Sequence, residues 1–375
     1  MGVPTGAVAM IRPTVQASKV AWTGSQEWPL NLLAICDMTT TPAINPDAAS
    51  FVAALDANLA DLRMTDVADT LIPWRRAENA LFSQTPGAEK LYVRVKADLS
   101  GDANTEYRGY RGCSGDGAED TGANVVGAAT AQFCDLSETG ASDREDLTEN
   151  GLDLTPNEAM TAGAGIVGNG FSNVGVTDGR LWRLHSDLLL GGADGFTVSV
   201  WYKPSVRVTW GVIAELGYFT GNYAFWRLQW FSDTTNVQAG MRVGRSWWTS
   251  AGGTLTVDQW NHLAMVNDVD GRMQLYVNGS PVASDSAGNL FSTPTGGTGQ
   301  YLGRYNAGNA TYGVWDELLV SSAVWTPEQI VSHYNMIATP DEWCVCGAEE
   351  SLATGRSRPF SQMRCGPRLV IGGVI

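Results

Sequence analysis

Apolar and polar positions alternate with a period of two along much of this chain. Leu91-Tyr-Val-Arg-Val-Lys-Ala97 alternates in this way, and Phe196-Thr-Val-Ser-Val-Trp-Tyr202 does so strictly, as a half-buried strand should. Asn31-Leu-Leu-Ala-Ile-Cys36 is a short apolar run of the kind a buried strand carries. Trp260-Asn-His-Leu-Ala-Met-Val266 and Met273-Gln-Leu-Tyr-Val277 predict two more strands. Asp270-Gly271 and Asn278-Gly279 lie at their ends, and such pairs accept the left-handed backbone of a tight hairpin. These runs predict an antiparallel meander. Helical spacing is rarer. Phe51, Leu55, Leu59 and Leu62 predict one short helix between Pro46 and Leu62. Thr326 as N-cap, Pro327 at the first helical position, and Ile330 and Tyr334 facing inward predict another near the end of the chain.

The fold class this implies is all-β, with two β-sandwich domains of jelly-roll type and a C-terminal tail. We place an N-terminal arm at 1–19, a first sandwich with one helical crossover at 20–120, an acidic Gly/Ala-rich linker at 121–164, a second sandwich at 165–338 and the tail at 339–375. Composition sharpens this picture. The balance of 24 basic against 39 acidic residues gives a net charge of -15, which repels phosphate backbones and anionic lipids, so no nucleic-acid partner is expected. No apolar run approaches the roughly 18 residues of a membrane span, so no membrane insertion is expected. The start, MGVPTGAVAMIRP, is interrupted by Pro4 and Gly6 and lacks early basic residues, which argues against a secretory leader. Ten of the 14 tryptophans fall between Trp182 and Trp325, more than one core can hold, so some are expected on a concave face or at an interface.

Gly165-Ile-Val-Gly-Asn-Gly170, FTVSVWYKP, WNHLAMV, DGRMQLYVNG, WDELLV and WTPEQIVSHY occur in the order expected of a laminin-G-like domain. The segment resembles that family, within the concanavalin A-like lectin superfamily, over about 170 residues, and the resemblance implies a two-sheet jelly roll. Calcium-binding members of the superfamily use loop acids. Such ligands are not assignable here on Asp194, Asp233, Asp268 or Asp285, so no cofactor is expected and calcium stays an open alternative. Asp61-Leu-Arg-Met-Thr-Asp66, LYVRVKADLSG and EYRGYRGCSGD resemble a domain of unknown function that often precedes laminin-G-like domains in phage structural proteins and bacterial surface proteins. Tyr110-Arg-Gly-Cys113 departs from the Tyr-Gly-Asn turn of that pattern.

Candidate chemistry is sparse, and no catalytic residues are assigned. A jelly-roll glycoside hydrolase needs two carboxylates pointing into one cleft. The best local pair, Asp316 and Glu317, is adjacent on a strand and is expected to project to opposite faces. His262 and His333 read as packing or capping residues, and His185 has no evident partner. Trp247 and Trp248, beside Arg245, form the best glycan-binding cluster, because sugars offer apolar faces to aromatic rings and hydroxyls to polar neighbours. Both tryptophans being covered by loops or another chain is the competing account. Among the six cysteines, Cys344, Cys346 and Cys365 permit a small disulfide loop, with free thiols as the alternative. The tail holds Trp343 and the apolar Leu369-Val-Ile-Gly-Gly-Val-Ile375; Trp343, Leu369, Val370 and Ile371 are the candidate assembly residues. An apolar terminal strand needs an edge, either the protein's own or a neighbouring chain's.

These readings lead us to expect a non-enzymatic bacteriophage virion protein of a tail, fibre or capsid-decorating appendage. Its expected partners are other virion proteins, further copies of itself and host surface glycans. A secreted carbohydrate-binding module or a glycoside hydrolase on the same jelly roll is the alternative.

Overall fold

The Phe196–Pro204 strand is buried on both sides along almost its whole length. Its alternation divides two cores. Phe196, Val198, Val200 and Tyr202 point into one hydrophobic cluster, and Trp201 belongs to another. The computed structural model in which this is seen describes residues 3–352, apart from 78–80, 115–118, 121–124, 127–128, 149, 159, 177–178, 186–194, 209, 219–223, 231–235, 244–245, 286–297 and 304–310.

The first of these cores is the interior of a sandwich of two antiparallel sheets. One sheet runs in the order Thr161–Ala164, Asn169–Ser172, Gly313–Ser321, Phe196–Pro204, Asn261–Asn267, Met273–Val277, Ser280–Asp285, with Thr130–Cys134 also paired to Gly313–Ser321. The other runs Thr155–Pro156, Arg180–His185, Thr298–Gly303, Val212–Tyr218, Ala224–Trp230, Asn236–Val243, Ser246–Thr254. Trp226, Trp230 and Trp315 fill the space between them. The expected hairpin is present: Asn278 and Gly279 both have positive φ, and Val277 pairs with Ser280. Segments expected as a linker contribute Thr130–Cys134, Thr155–Pro156 and Thr161–Ala164 to this sandwich. They do so because Leu136, Leu152, Leu154 and Met160 interrupt the acidic stretch and enter its core.

The N-terminal domain is built from smaller sheets. Ser25–Asp37 pairs with Lys90–Ser100, which also pairs with Trp74–Arg76 and Phe82–Ser83. The segment expected as a free arm instead supplies two strands. Ala9–Ile11 lies between Arg108–Arg111 and Glu350–Ser351, and Pro13–Val15 lies between Thr105–Glu106 and Cys344–Cys346. The start of the tail is therefore part of this domain, and Trp343 is a core residue whose Nε1 donates to Asn31 Oδ1 at 2.9 Å. Only a short piece of the expected 46–62 helix forms. Pro46–Ala48 is a 3₁₀ turn and Ala49–Ala53 an α-helix that closes at Ala54, and farther along Leu59 takes a left-handed conformation.

The second core fills the N-terminal domain and continues into the seam between the domains. The Pro327–Ala338 helix starts with the expected cap: Gln329 N donates to Thr326 Oγ1 at 3.3 Å, and Thr326 N donates to Gln329 Oε1 at 2.9 Å. One side of this helix packs on the sandwich, with Tyr334 stacked on Trp201 at 5.7 Å. Its other side meets the first domain, where Ala21 N donates to Ser332 Oγ and Asn335 Nδ2 donates to Lys19 O. Trp22, Trp28 and Trp325 form a continuous aromatic row across this seam, with ring centroids about 5 Å apart. The interface expectation for the surplus tryptophans is thus met by Trp201 and Trp325, while Trp210 is 42% exposed.

A fully buried ion pair, Arg94 of the first domain with Glu317 of the second, crosses the same seam. Arg94 also stacks over Phe133, 4.9 Å from the ring centroid. Removing one member leaves an uncompensated charge in a dry site. Arg94→Met should therefore lower the unfolding free energy by about 3 to 5 kcal/mol, and Arg94→Met with Glu317→Leu should recover most of it. Chemical denaturation of the two variants checks this, and a single-variant loss under about 1 kcal/mol would contradict it.

Candidate functional site

The seven-stranded sheet turns alternate residues away from the sandwich interior. Trp226, Leu228 and Trp230 point into the core, which leaves Arg227 and Gln229 on the other face. Strand register then builds one row across neighbouring strands: Trp182 opposite Tyr301, Tyr301 opposite Glu215, Glu215 opposite Arg227 and Arg227 opposite Gly240. A parallel row places Gln229 opposite Gln238.

These side chains form one connected polar system. Arg227 Nε donates to Glu215 Oε2, Arg227 Nη1 to Gln229 Oε1 at 3.3 Å, and Gln229 Nε2 to Gln238 Oε1 at 2.9 Å. Glu215 is 1% exposed and Gln238 3%. Burial pushes the Glu215 carboxyl upward, against the opposing pull of Arg227. Gly299 completes the surface, because a Cβ there would stand 2.5 Å from the Tyr301 hydroxyl; only glycine lets that ring lie back along its own strand. Planar amides and a guanidinium beside half-buried Trp182, with Tyr301 buried next to it, match the chemistry that grips a sugar ring by its face and its hydroxyls. The sequence reading missed this group, since its members are joined by strand register and lie far apart along the chain.

Of the expected glycan cluster, Arg245 lies outside the described residues. Trp247 and Trp248 sit on the edge strand, their backbones opposite Arg242 and Met241, and their side chains lie outside the described set. His185 pairs with Thr298 through its backbone, and its side chain is likewise outside that set.

Asp316 and Glu317 take structural roles, and not in the way expected. A bulge falls between the pairs Ser199–Leu319 and Trp201–Asp316, and Glu317 takes a positive φ of 52°, which breaks the simple alternation. Asp316 Oδ2 accepts from Ile166 N at 2.7 Å and Val167 N at 2.9 Å. Gly165 is required beside it, since a Cβ there would lie 2.5 Å from that oxygen. This accounts for the Gly165–Gly170 motif. In the N-terminal motif, Asp61 Oδ2 accepts from Gly112 N at 3.0 Å and Asp66 Oδ1 from Ala68 N and Thr70 N at 2.8 Å, so both acids fix turns.

The calcium candidates gain no support. Asp268 caps a turn by accepting from Asp270 N and Arg272 N, Asp194 and Asp233 lie outside the described residues, and so does the side chain of Asp285. Among the described residues no group of three or more His, Cys, Asp or Glu could hold a metal ion. Cys344 and Cys346 are buried free thiols, and Cys365, Leu369, Val370 and Ile371 lie outside the described residues. Burial pushes the Cys36 and Cys346 thiols up to about 12, which makes them poor nucleophiles.

Residues 179–331 match the family model of the concanavalin A-like lectin/glucanases superfamily. The second domain is a concanavalin A-like jelly roll. No curated protein matches the sequence. Among solved structures, domain 4 of AbnA, a GH43 extracellular arabinanase from Geobacillus stearothermophilus in complex with arabinotriose, is 20% identical with a TM-score of 0.42, over 54% of this chain and 96% of that one. The receptor-binding domain of botulinum neurotoxin C/D mosaic serotype is 15% identical with a TM-score of 0.41, over 55% of this chain and 51% of that one. A heptameric SAP-like pentraxin from Limulus polyphemus is 22% identical with a TM-score of 0.32, over 40% of this chain and 73% of that one.

One cluster on the jelly roll looks catalytic on distance alone. Ser199 Oγ lies 2.8 Å from His262 Nε2, which lies 3.2 Å from His333 Nδ1. All three are buried beneath Trp201, Trp325 and Trp28 in the domain seam, so the cluster is packing, with no room for a substrate. Burial lowers both imidazoles, His333 to about 3 and His262 well below its ordinary range. Both are thus neutral when folded, whereas in the unfolded chain they take up a proton near pH 6.5. Their contribution to stability is present above that pH and is lost as pH falls toward the native values. Raised carboxyls such as Glu215 act in the opposite sense, so the measurement is a difference. His333→Gln should show a smaller loss of unfolding free energy between pH 7 and pH 5 than the parent protein, and equal losses would contradict the assignment.

Proposed function

We propose that this chain is a non-enzymatic structural protein of a bacteriophage virion, in a tail, fibre or capsid-decorating appendage. Its jelly roll engages surface glycans through the outer face of the seven-stranded sheet. The observation that carries the non-enzymatic, glycan-binding reading is the acid count of that sheet. Its seven strands contain one carboxylate, Glu215, and Arg227 holds it. Retaining and inverting glycosidases both need a pair, about 5 to 9.5 Å apart. Such a face can bind a sugar without cleaving it. The virion reading is supported by the resemblance of the Asp61–Asp66, Leu91–Gly101 and Glu106–Asp116 motifs to a domain of phage structural proteins.

The purified protein should bind members of a glycan array and hydrolyse none of them. Trp182→Ala should weaken binding by about 1 to 3 kcal/mol, the scale of burying an aromatic ring. Trp247→Ala and Trp248→Ala test whether the site extends to the edge strand. Turnover that disappears in Glu215→Gln would make the protein a hydrolase and overturn this reading.

Assembly is assigned to residues beyond 352. Because Trp343 and Cys344–Cys346 belong to the first domain, the informative truncation removes 353–375 and keeps them. The truncated chain should melt like the full one yet fail to enter the virion or its multimer. Normal incorporation, read by mass spectrometry of purified particles or by light scattering, would move the assembly surface onto the domains.

A further inference from the structure

A cleft of about 380 Å³ opens at the margin of the eight-stranded sheet, beyond the seam, where Met273–Val277 and Ser280–Asp285 run past the start of the Pro327–Ala338 helix. Small-molecule sites occupy about 300 to 1,000 Å³. Alternation and register build its floor. Met273, Leu275 and Val277 enter the sandwich core, which turns Gln274 and Tyr276 outward, and Val266, Gln274 and Ser284 stand opposite one another on three neighbouring strands. Val324, Trp325 and Pro327 form the wall. No lining residue belongs to the seven-stranded sheet, so the cleft is separate from the proposed glycan face.

Several polar groups of this cleft are unused. Tyr276 is 3% exposed, yet its hydroxyl has no hydrogen-bond partner among the described residues. Burial, then the charge of Glu328 in the first turn of the helix, pushes that hydroxyl upward in pKa, which places its oxygen on the helix side, toward the cleft. Trp325 is 6% exposed, and its backbone N donates to Thr197 Oγ1 at 2.9 Å while its indole N–H has no acceptor among the described residues. Gln274 is held by its own amide, Nε2 donating to Leu275 O at 3.1 Å and to Ala283 O at 2.7 Å, which leaves Oε1 as a fixed acceptor. Asp268 accepts from Asp270 N and Arg272 N through Oδ1 and keeps Oδ2. Polar groups on side chains this deeply buried cost free energy until something pairs with them.

The mixture of donors and acceptors selects the ligand. An ammonium offers donors only and would leave the Trp325 indole N–H unpaired. A carboxylate or phosphate offers acceptors only and would face Asp268 and Glu328, while exposed Arg272 is already drawn to Asp270 at 3.7 Å. A hydroxyl both donates and accepts, so neighbouring hydroxyls satisfy Tyr276, Trp325 and Gln274 together. Val266, Val324 and Pro327 ask the same molecule for an apolar side. A sugar ring has both. We infer that this cleft binds a single neutral pyranose, with Tyr276, Trp325 and Gln274 meeting its hydroxyls.

Saturation-transfer NMR on the full-length protein tests the inference, with glucose, galactose, mannose and rhamnose as neutral probes and glucuronate and glucosamine as charged ones. At least one neutral sugar should bind, and more tightly than either charged one. Tyr276→Phe removes only the hydroxyl and should weaken binding about fivefold, the scale of one hydrogen bond between neutral partners. Ser284→Trp, at an exposed position on the floor, should abolish binding by filling the space. Trp182→Ala should leave it unchanged, which separates this cleft from the glycan face. Should Tyr276→Phe fail to fold, Ser284→Trp carries the test. No binding by any neutral sugar, tighter binding of a charged one, or unchanged binding in a folded Ser284→Trp variant would overturn it. Loss of binding in Trp182→Ala with binding kept in Ser284→Trp would do so as well, and would return the sugar to the seven-stranded sheet.

Discussion

The dry seam between the domains is the constraint on which the rest depends. The central strands of the eight-stranded sheet, Gly313–Ser321, Phe196–Pro204 and Asn261–Asn267, are buried on both faces, so they cannot present a wet outer surface as the second sheet of a free-standing sandwich would. The side chains these strands turn toward the seam include small polar, aromatic and ionic groups. Thr197 Oγ1 donates to Ala323 O, Ser199 meets His262, and Glu317 reaches across to Arg94. The Pro327–Ala338 helix is shared by both sides. With one sheet committed to the seam, the other is left to meet ligands, which is why the candidate surface lies on the seven-stranded sheet.

Local signals in the sequence located strands and turns well. The alternation of Phe196–Tyr202, the Asn278-Gly279 hairpin and the Thr326 capping box all appear where their side-chain chemistry requires, because each is decided by residues a few positions apart. What the sequence concealed was non-local. Strict alternation in FTVSVWY looks the same whether the Thr, Ser and Trp face meets water or another domain. The arm, linker and tail looked like connectors because their strands are two to five residues long and draw their hydrogen bonds from distant segments. The 46–62 helix stops at Ala53, and Leu59 is left-handed farther along; neither leaves a trace in an apolar spacing.

The same distinction explains the site. Trp247 and Trp248 stood out by adjacency, whereas Glu215, Arg227, Gln229 and Gln238 are unremarkable within VIAELGY, AFWRLQW and NVQAGMRV. Only pairing turns them into one hydrogen-bonded row. A partial signal was available: Ala214, Trp226, Leu228, Val237 and Met241 are each followed by a Glu, Arg or Gln, which gives an outward face with functional groups but almost no net charge, in a protein that is otherwise strongly acidic. The bulge at Glu317, by contrast, had no sequence marker, since a non-glycine residue with positive φ is a choice made by its surroundings.

The pairing of Ala9–Ile11 with Glu350–Ser351, and of Pro13–Val15 with Cys344–Cys346, also governs how the molecule comes into being. Contacts that join the first and last parts of a chain carry a heavy loop-closure cost and form slowly. During synthesis Ala9–Ile11 and Pro13–Val15 must wait, unpaired on one edge, until Cys344–Cys346 and Glu350–Ser351 have followed. The N-terminal domain is therefore begun before the jelly roll and completed after it. Its exposed edges in that interval are the period of greatest risk of pairing with the wrong chain, and a nascent protein that stalls before residue 344 would carry that hazard permanently.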